Sequence, residues 1–328
     1  MDKISIEVGS GGKIMRDFID TFIMETFQNS LLKGLPDSAH LPGNIAFTTD
    51  SYVVDPIFFP GGDIGTLCVN GTVNDLVVSG AEPQFLSLAL ILEEGLPVED
   101  LKKILHSIKT SADNAGVIIA TGDTKVVRQG QGDKIFINTA GVGRILAEPS
   151  LGSVKPGDSI LITGTLGEHS LAVMTAREEF GLETGALSDC APLNFLLPMW
   201  EKGTLWMRDI TRGGLATVLS ELTEKIPHPV VIDEEDIPLS NAVKGATELL
   251  GIDPLYLACE GRALLLVPRE KTKTVLAEIR RHPLGKQAAV IGRIEEKLGK
   301  PGELLLATVP GGLRKLEPLT SELLPRIC

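Results

Sequence analysis

The sequence predicts two consecutive domains that each mix strands with helices, an α/β (α+β) chain. Three observations predict it. The chain has 328 residues, more than one small core usually organises. Strand-like and helix-like apolar patterns alternate in both halves. Proline, glycine and serine cluster between the halves, in EPSLGSVKPGD at 148–158. That cluster places one domain over 1–149 and a second over 150–316, and leaves 317–328 as a mobile tail.

In the first half, Phe18, Ile19, Phe22 and Ile23 repeat at helical spacing over 15–30. An apolar, β-rich run follows at 45–54. A helix is expected over 72–80, with Val73, Leu76 and Val77 on one face, and a buried strand over 85–92. Leu101, Ile104, Leu105, Ile108 and Ala112 form an i, i+3, i+4 stripe over 98–115. Strands follow at 117–120 and 134–145. In the second half, strands are expected at 160–163, 263–267 and 288–294. Helices are expected at 169–180, 214–225, 240–250 and 271–281, with Ser240 as an N-cap. The ending, EPLTSELLPRIC, carries two prolines and does not read as a packed element. Twelve extended residues span roughly 40 Å, enough to enter a site on the same or a neighbouring subunit.

Composition narrows the function. The 43 acidic against 31 basic residues give a net charge of -12, which opposes nucleic acid and anionic membrane. No basic patch with interleaved aromatics occurs. No run approaches the roughly 20 apolar residues that span a bilayer. The N-terminus lacks the basic-then-apolar order of a signal peptide. Cys68, Cys190, Cys259 and Cys328 form no CxxC pair, so reduced thiols and a cytoplasmic location are expected.

The chemistry points to metal-bound nucleotide. Asp50, Asp75, Asp123 and Asp209 each stand beside a turn or helix start, next to Gly, Thr or Asn. Mg²⁺ with ATP needs such hard oxygen ligands. Each aspartate alone also reads as a helix cap or a solvated loop residue. Asp75 is the most telling, because its segment is otherwise apolar. Asn74 beside it, and Thr211, Arg212 and Gly213 in TRGGL, are the other candidate nucleotide contacts; TRGGL puts amides at a helix start, with Arg208 or Arg212 nearby as the cation. No P-loop, dinucleotide fingerprint or zinc motif is present. Gly9–Gly12 followed by Lys13 is either a lid over phosphates or a disordered arm. Lys125 shares a strand face with Asp123: it holds phosphate or steers a proton, or it is half of a surface ion pair. Glu260 is either paired with Arg262 or a nearby lysine, or a buried general base. His169 is a phosphate ligand or an ordinary helix-start histidine. Cys328 is the last residue, a terminal thiol free to react.

GTVNDLxxxGAxP, TGDTKVV, the ITGxxGxHS loop at 162–170, RDxTRGGL, the EGR after LYLAC and the terminal PRIC together resemble the HypE family of hydrogenase maturation factors. The match runs from Gly9 to Cys328. The internal motifs are shared with a wider ATP-using superfamily containing aminoimidazole ribonucleotide synthetase, selenophosphate synthetase and thiamine-monophosphate kinase. The PRIC ending is specific to HypE.

The resemblance implies a PurM/AIR-synthetase-like fold, dimerising through the sheet of its N-terminal domain, with ATP in a cleft. It implies that Asp50, Asp75, Asp123 and Asp209 hold Mg²⁺ and phosphates, and that Lys125 and Glu260 line the place where Cys328 reacts, one as base and one as oxyanion or tail support. It implies that a carbamoyltransferase, HypF, loads Cys328, that ATP drives dehydration of the carbamoyl group to thiocyanate, and that cyanide passes to iron on a HypC–HypD scaffold. A selenophosphate synthetase would need a Cys or Sec in the Gly9–Lys13 loop, which has neither. Purine- or thiamine-type siblings would not need Cys328. A nucleotide-gated carrier that delivers a group on its cysteine without catalysis is the reading from another class.

Overall fold

The computed structural model describes residues 3–9, 11–27, 29–177, 181, 183–319, 324 and 326–328. Positions 28, 178–180, 320–323 and 325, which belong to the expected 15–30 helix, 169–180 helix and tail, lie outside them, as does Ser10 of the glycine-rich run.

The chain opens with helical turns, α1 (Lys13–Phe18) and α2 (Glu25–Phe27), joined by a π-helical turn. The first sheet follows. Its strands are β1 (Ala39–Leu41), β2 (Ile45–Tyr52), β5 (Ala81–Glu93), β6 (Ile118–Val127) and β7 (Ile135–Ile145). They are ordered β1-β2-β7-β5-β6, and only β5 and β6 run parallel. A small ribbon of β3 (Phe58–Phe59) and β4 (Gly62–Asp63) leads into helix α3 (Ile64–Val78). Helix α4 (Val98–Ala115) crosses from β5 to β6, the connection a parallel pair requires.

The second sheet takes β8 (Ser159–Ile162), β9 (Trp206–Asp209), β10 (Val230–Asp233), β11 (Ala263–Val267), β12 (Ala289–Ile294), β13 (Leu304–Ala307) and β14 (Leu313–Lys315). Its order is β14-β13-β10-β12-β8-β11-β9, antiparallel except for β10 with β13. Helices α5 (Glu168–Ala176), α6 (Leu197–Glu201), α7 (Gly214–Lys225), α8 (Asn241–Leu250) and α9 (Thr272–Ile279) connect its strands.

Helix α3 is the axle of the molecule. Of its 15 residues only Thr66 and Asp75 are not buried, because one side packs on the first sheet and another on β9 of the second. A helix that is apolar all round belongs in such a place. Asp63 caps it by accepting from the Thr66 N–H at 2.9 Å, and Ser107 of α4 donates to the same carboxylate at 2.5 Å. The second sheet is buried on both faces along β8 and β11, while its edge strand β14 is exposed. Along β11, Ala263, Leu265 and Val267 enter the core shared with α3, while Leu264 and Leu266 join the core under α7. That alternation is the period of two expected of a strand.

Candidate active site

Where α3, β2, β9 and the start of α7 meet, they enclose a cavity of about 840 Å³. Each element contributes one functional side chain. Asp75 is the one charged side chain on α3. Asp209 ends β9 with 6% exposure. Asp50 projects from β2, beside the Tyr52 hydroxyl, which donates to it at 3.3 Å. Asp37 stands just before β1 and pairs with Arg208 at 3.0 Å; Arg208 also reaches Glu221 at 3.4 Å.

Asp37, Asp75 and Asp209 each offer an oxygen, and these oxygens lie within 4.8 Å of one another. Three carboxylates so close repel. Burial and neighbouring carboxylates push Asp209 up to about 8, although Arg208 opposes them. Burial pushes Asp37 up to about 6, again against Arg208. Asp75 is held well above the usual carboxylate range by burial and by Asp50, Asp209 and Asp37, against a 2.8 Å hydrogen bond donated by the Thr48 hydroxyl. A cluster of this kind fits a hard divalent cation, which would replace protons with one compact positive charge.

The opposite wall is formed by Thr211 and Arg212 ahead of α7, and by Glu260 between α8 and β11. Gly213 and Gly214 turn the chain into α7 with φ of 78° and 63°. A β-carbon on Gly214 would stand 2.5 Å from the Leu255 carbonyl oxygen, so the sharp turn that aims the α7 amides at the cavity demands glycine. Gly11 packs against Arg212 and Lys13 lines the cavity, so the glycine-rich run lies over this wall.

Glu260 is 4% exposed. Its N–H donates to Asp189 at 3.2 Å, and its carbonyl accepts from Asn74 at 3.2 Å. Its Oε1 is buried without a hydrogen-bond partner among the described residues. Burial, Asp209 and Asp189 push its carboxyl well up, with Arg212 opposing.

Cys328 of the same chain lines this cavity. Its carbonyl accepts from the Val53 N–H at 3.1 Å, so the end of the chain runs along the strand that carries Asp50 and Tyr52. Cys328, Asp50 and Glu260 all strengthen the positive charge of Arg212, Cys328 most. The stretch expected to be unpacked therefore ends on a bound segment.

Asp123, Lys125 and Asn74 are placed differently from expectation, and for Glu260 and His169 one of the two open alternatives drops out. Asp123 and Lys125 do not join the cluster: both stand on β6, exposed, and pair with each other at 2.8 Å. Extended TGDTKVV continues the edge strand instead of ending it. Asn74 is buried, and its amide bonds Leu193, Ala191 and Glu260 at 2.8, 3.1 and 3.2 Å, so it ties α3 to the second half with both N–H donors used. Glu260 is not paired with Arg262, which turns to Asp189 and to the Thr165 carbonyl. His169, in the first turn of α5, is fully buried and bonded to Ser188 and to the Ile327 carbonyl, and does not line the cavity. Asp37 was missed, because LPDSAH reads as a turn; only the fold brings it to Asp75 and Asp209.

The family profile of AIR synthase related protein, N-terminal domain, matches residues 37–145, and that of the C-terminal domain matches 155–300. The carbamoyl dehydratase HypE of Escherichia coli K12 is 43% identical over the whole of both chains. That of Rhodobacter capsulatus is 43% identical over 100% of this chain and 98% of its own. Among solved structures, HypE in a HypE–HypF complex superposes with a TM-score of 0.87 at 43% identity, covering 92% of this chain and 99% of that one. HypE in complex with ATP superposes with a TM-score of 0.83 at 42% identity, covering 99% and 100%. A thiamine monophosphate kinase at 22% identity shares the fold, with a TM-score of 0.68. The fold and both profiles define a two-domain, mixed α/β protein of the AIR synthase related class. Within that class, the chain belongs to the HypE family of carbamoyl dehydratases, factors of hydrogenase maturation.

Proposed function

We propose that this protein dehydrates an S-carbamoyl group on its own Cys328 to an S-thiocyanate, with ATP and Mg²⁺, and so supplies the cyanide ligand for a [NiFe] hydrogenase. The observation that carries the reading is Cys328 itself, the chain's terminal thiol, seated in the cavity with the aspartate cluster, Arg212 and Glu260. A solved relative in complex with ATP supports the nucleotide.

The chemistry explains the residues. Removing water from S–C(=O)–NH₂ expels an oxygen, and oxide is a very poor leaving group. ATP supplies the activation, since an oxygen made part of a phosphate departs readily. Asp37, Asp75 and Asp209 would hold the magnesium ion, with Asp50 beside them. Arg212 and the amides at the start of α7 face the same space and suit phosphate oxygens. As S–C≡N forms, both protons on nitrogen must leave. Glu260, beside Arg212 and shielded from water, is the base we assign.

Partners follow the same reading. A relative solved with HypF supports a HypF-type carbamoyltransferase as the protein that loads Cys328, and a HypC–HypD scaffold would receive the cyanide. The first sheet turns Ile45, Phe47, Phe85 and Ile91 to solvent, and Ile118 and Val126 stand exposed on β6. Exposed apolar residues on a sheet with an open edge suit a second copy of the chain. Asp123 and Lys125, on that edge, would take part in the chemistry only by entering the partner's cavity.

Intact-protein mass spectrometry tests the reading. The chain is incubated with HypF and carbamoyl phosphate, then with or without Mg-ATP. A carbamoyl adduct on the tail peptide that loses one water only with ATP is expected, and Cys328→Ala should carry no adduct. An unmodified Cys328 in a protein that still hydrolyses ATP on a small substrate would overturn it.

A further inference from the structure

The last three residues are held by groups outside the cavity. The Asp55 N–H donates to the Arg326 carbonyl at 3.3 Å and the Val53 N–H to the Cys328 carbonyl at 3.1 Å, the pattern of a short added strand. Side chains grip the same stretch. Arg326 donates from Nε to the Val53 carbonyl at 2.8 Å and from Nη1 to Asp133 at 2.5 Å. Arg177 donates from Nε to the Asp55 carbonyl at 2.8 Å and from Nη2 to the Arg326 carbonyl at 2.9 Å. Ile327 is 4% exposed, in the core shared with α3.

His169 completes the grip. Its Nε2 lies 2.8 Å from the Ile327 carbonyl oxygen, which can only accept, so Nε2 carries a proton. Its Nδ1 lies 2.9 Å from Ser188 Oγ. That hydroxyl already accepts from the Cys190 N–H at 3.1 Å, which leaves its own hydrogen for Nδ1. The neutral ring is thus fixed in one tautomer, edge-on to Phe59 with centroids 5.2 Å apart. Arg326 adopts φ of 55°, a region that side-chain-bearing residues avoid. The tail would not hold this shape without the contacts around it.

We propose that His169, Arg177 and the Asp133–Arg326 pair form a latch that seats the last three residues and sets the Cys328 sulfur in the cavity. His169, Arg177 and Asp133 are positioning residues. The contacts named here engage the tail backbone and the Arg326 side chain, not the sulfur. The latch therefore holds the tail alike whether the sulfur is free, carbamoylated or cyanated. The purpose of the latch rests on Cys328 being the reacting thiol; the docking itself does not.

Alkylation of the full chain with iodoacetamide tests it, read as the mass of the C-terminal peptide over time, with buried Cys68 and Cys259 as internal references for global opening. His169→Phe and Asp133→Asn should each speed alkylation of Cys328 about tenfold, the effect of one lost strong hydrogen bond, and leave the references protected. His169→Gln, which keeps an N–H donor, should restore most of the protection. In chains already carbamoylated, the same variants should slow loss of water in a single turnover by a similar factor, with loading unchanged. Faster alkylation in a protein whose parent shows no dehydration keeps the latch and removes the dehydratase reading. If His169→Phe opens the references too, Asp133→Asn decides, since Asp133 lies at the surface. Unchanged alkylation of Cys328 in Asp133→Asn, with an unchanged single-turnover rate, would overturn the latch.

Discussion

At the scale of the residue, Glu260 concentrates the chemistry. Burial, Asp209 and Asp189 favour its uncharged form, Arg212 opposes them, and its buried Oε1 has no hydrogen-bond partner among the described residues. Such a group has a strong tendency to hold a proton and little to hold it in place, which suits proton transfer inside a closed site. Glu260→Gln keeps the shape and removes the titration. It should load with carbamoyl as the parent does and then lose water about 10²- to 10⁴-fold more slowly. Parent-like turnover, timed by the mass of the tail, would end the assignment. Glu260, Asp75, Asp209 and Arg212 were legible in the sequence because charge interrupts apolar or glycine-rich runs there. Asp37 was not, since a proline–aspartate turn looks the same whether or not it faces two other carboxylates. Asp123 stood out because Gly and Thr flank it, and Lys125 because it shares a strand face with Asp123, yet that strand is exposed and carries both away from the cluster.

At the scale of the element, legibility followed periodicity. The stripe over 98–115 and the run over 214–225 match α4 and α7 end to end; α4 buries one face and wets the other, while α7 keeps the apolar spacing with only Glu224 exposed. Only the second half of α3 was foreseen, since a helix buried on every side has no polar face to set its period, and Gly65 and Gly71 interrupt it. Strand β6 was cut short at 120 because TGDT has turn composition. As an edge strand it pairs only with β5 and has no second neighbour to demand apolar residues. Its exposed Ile118 and Val126, 61% and 68% accessible, are therefore informative. A single chain gains nothing from wetting them, while a second copy would cover them. Light scattering after size exclusion should find the parent dimeric, and Val126→Asp monomeric at micromolar concentration with its helical content intact. A dimer that survives both Val126→Asp and Ile118→Asp would place the interface elsewhere.

At the scale of the whole molecule, long-range contacts that no local pattern encodes decide the rest. The tail returns to Val53–Asp55, and Asp37, Asp75 and Asp209 converge from three elements. That convergence ties folding to protons and to metal. Without a cation, burial lifts Asp37 to about 6 and Asp209 to about 8, from 3.8 in both cases. Between those limits the folded chain holds protons that the unfolded chain releases, so stability must fall as pH rises. The contribution of these two groups is complete below about pH 4, is partly lost through Asp37 near pH 6, and is gone once Asp209 ionises above about pH 8. Magnesium held by the cluster would bind the ionised carboxylates and stand in for those protons. Its stabilising effect should therefore grow with pH, being small at about pH 5.5 and largest at about pH 8.5, and its binding near neutrality should release protons. Thermal unfolding with and without MgCl₂ at both values measures the first, and calorimetry in buffers of different ionisation enthalpy measures the second. Asp209→Asn should reduce both effects, since it takes away one of the three converging carboxylates and the proton it holds near neutrality. A magnesium-induced rise in Tm that is equal at the two values, with no proton released, would mean that the ion binds away from these three aspartates.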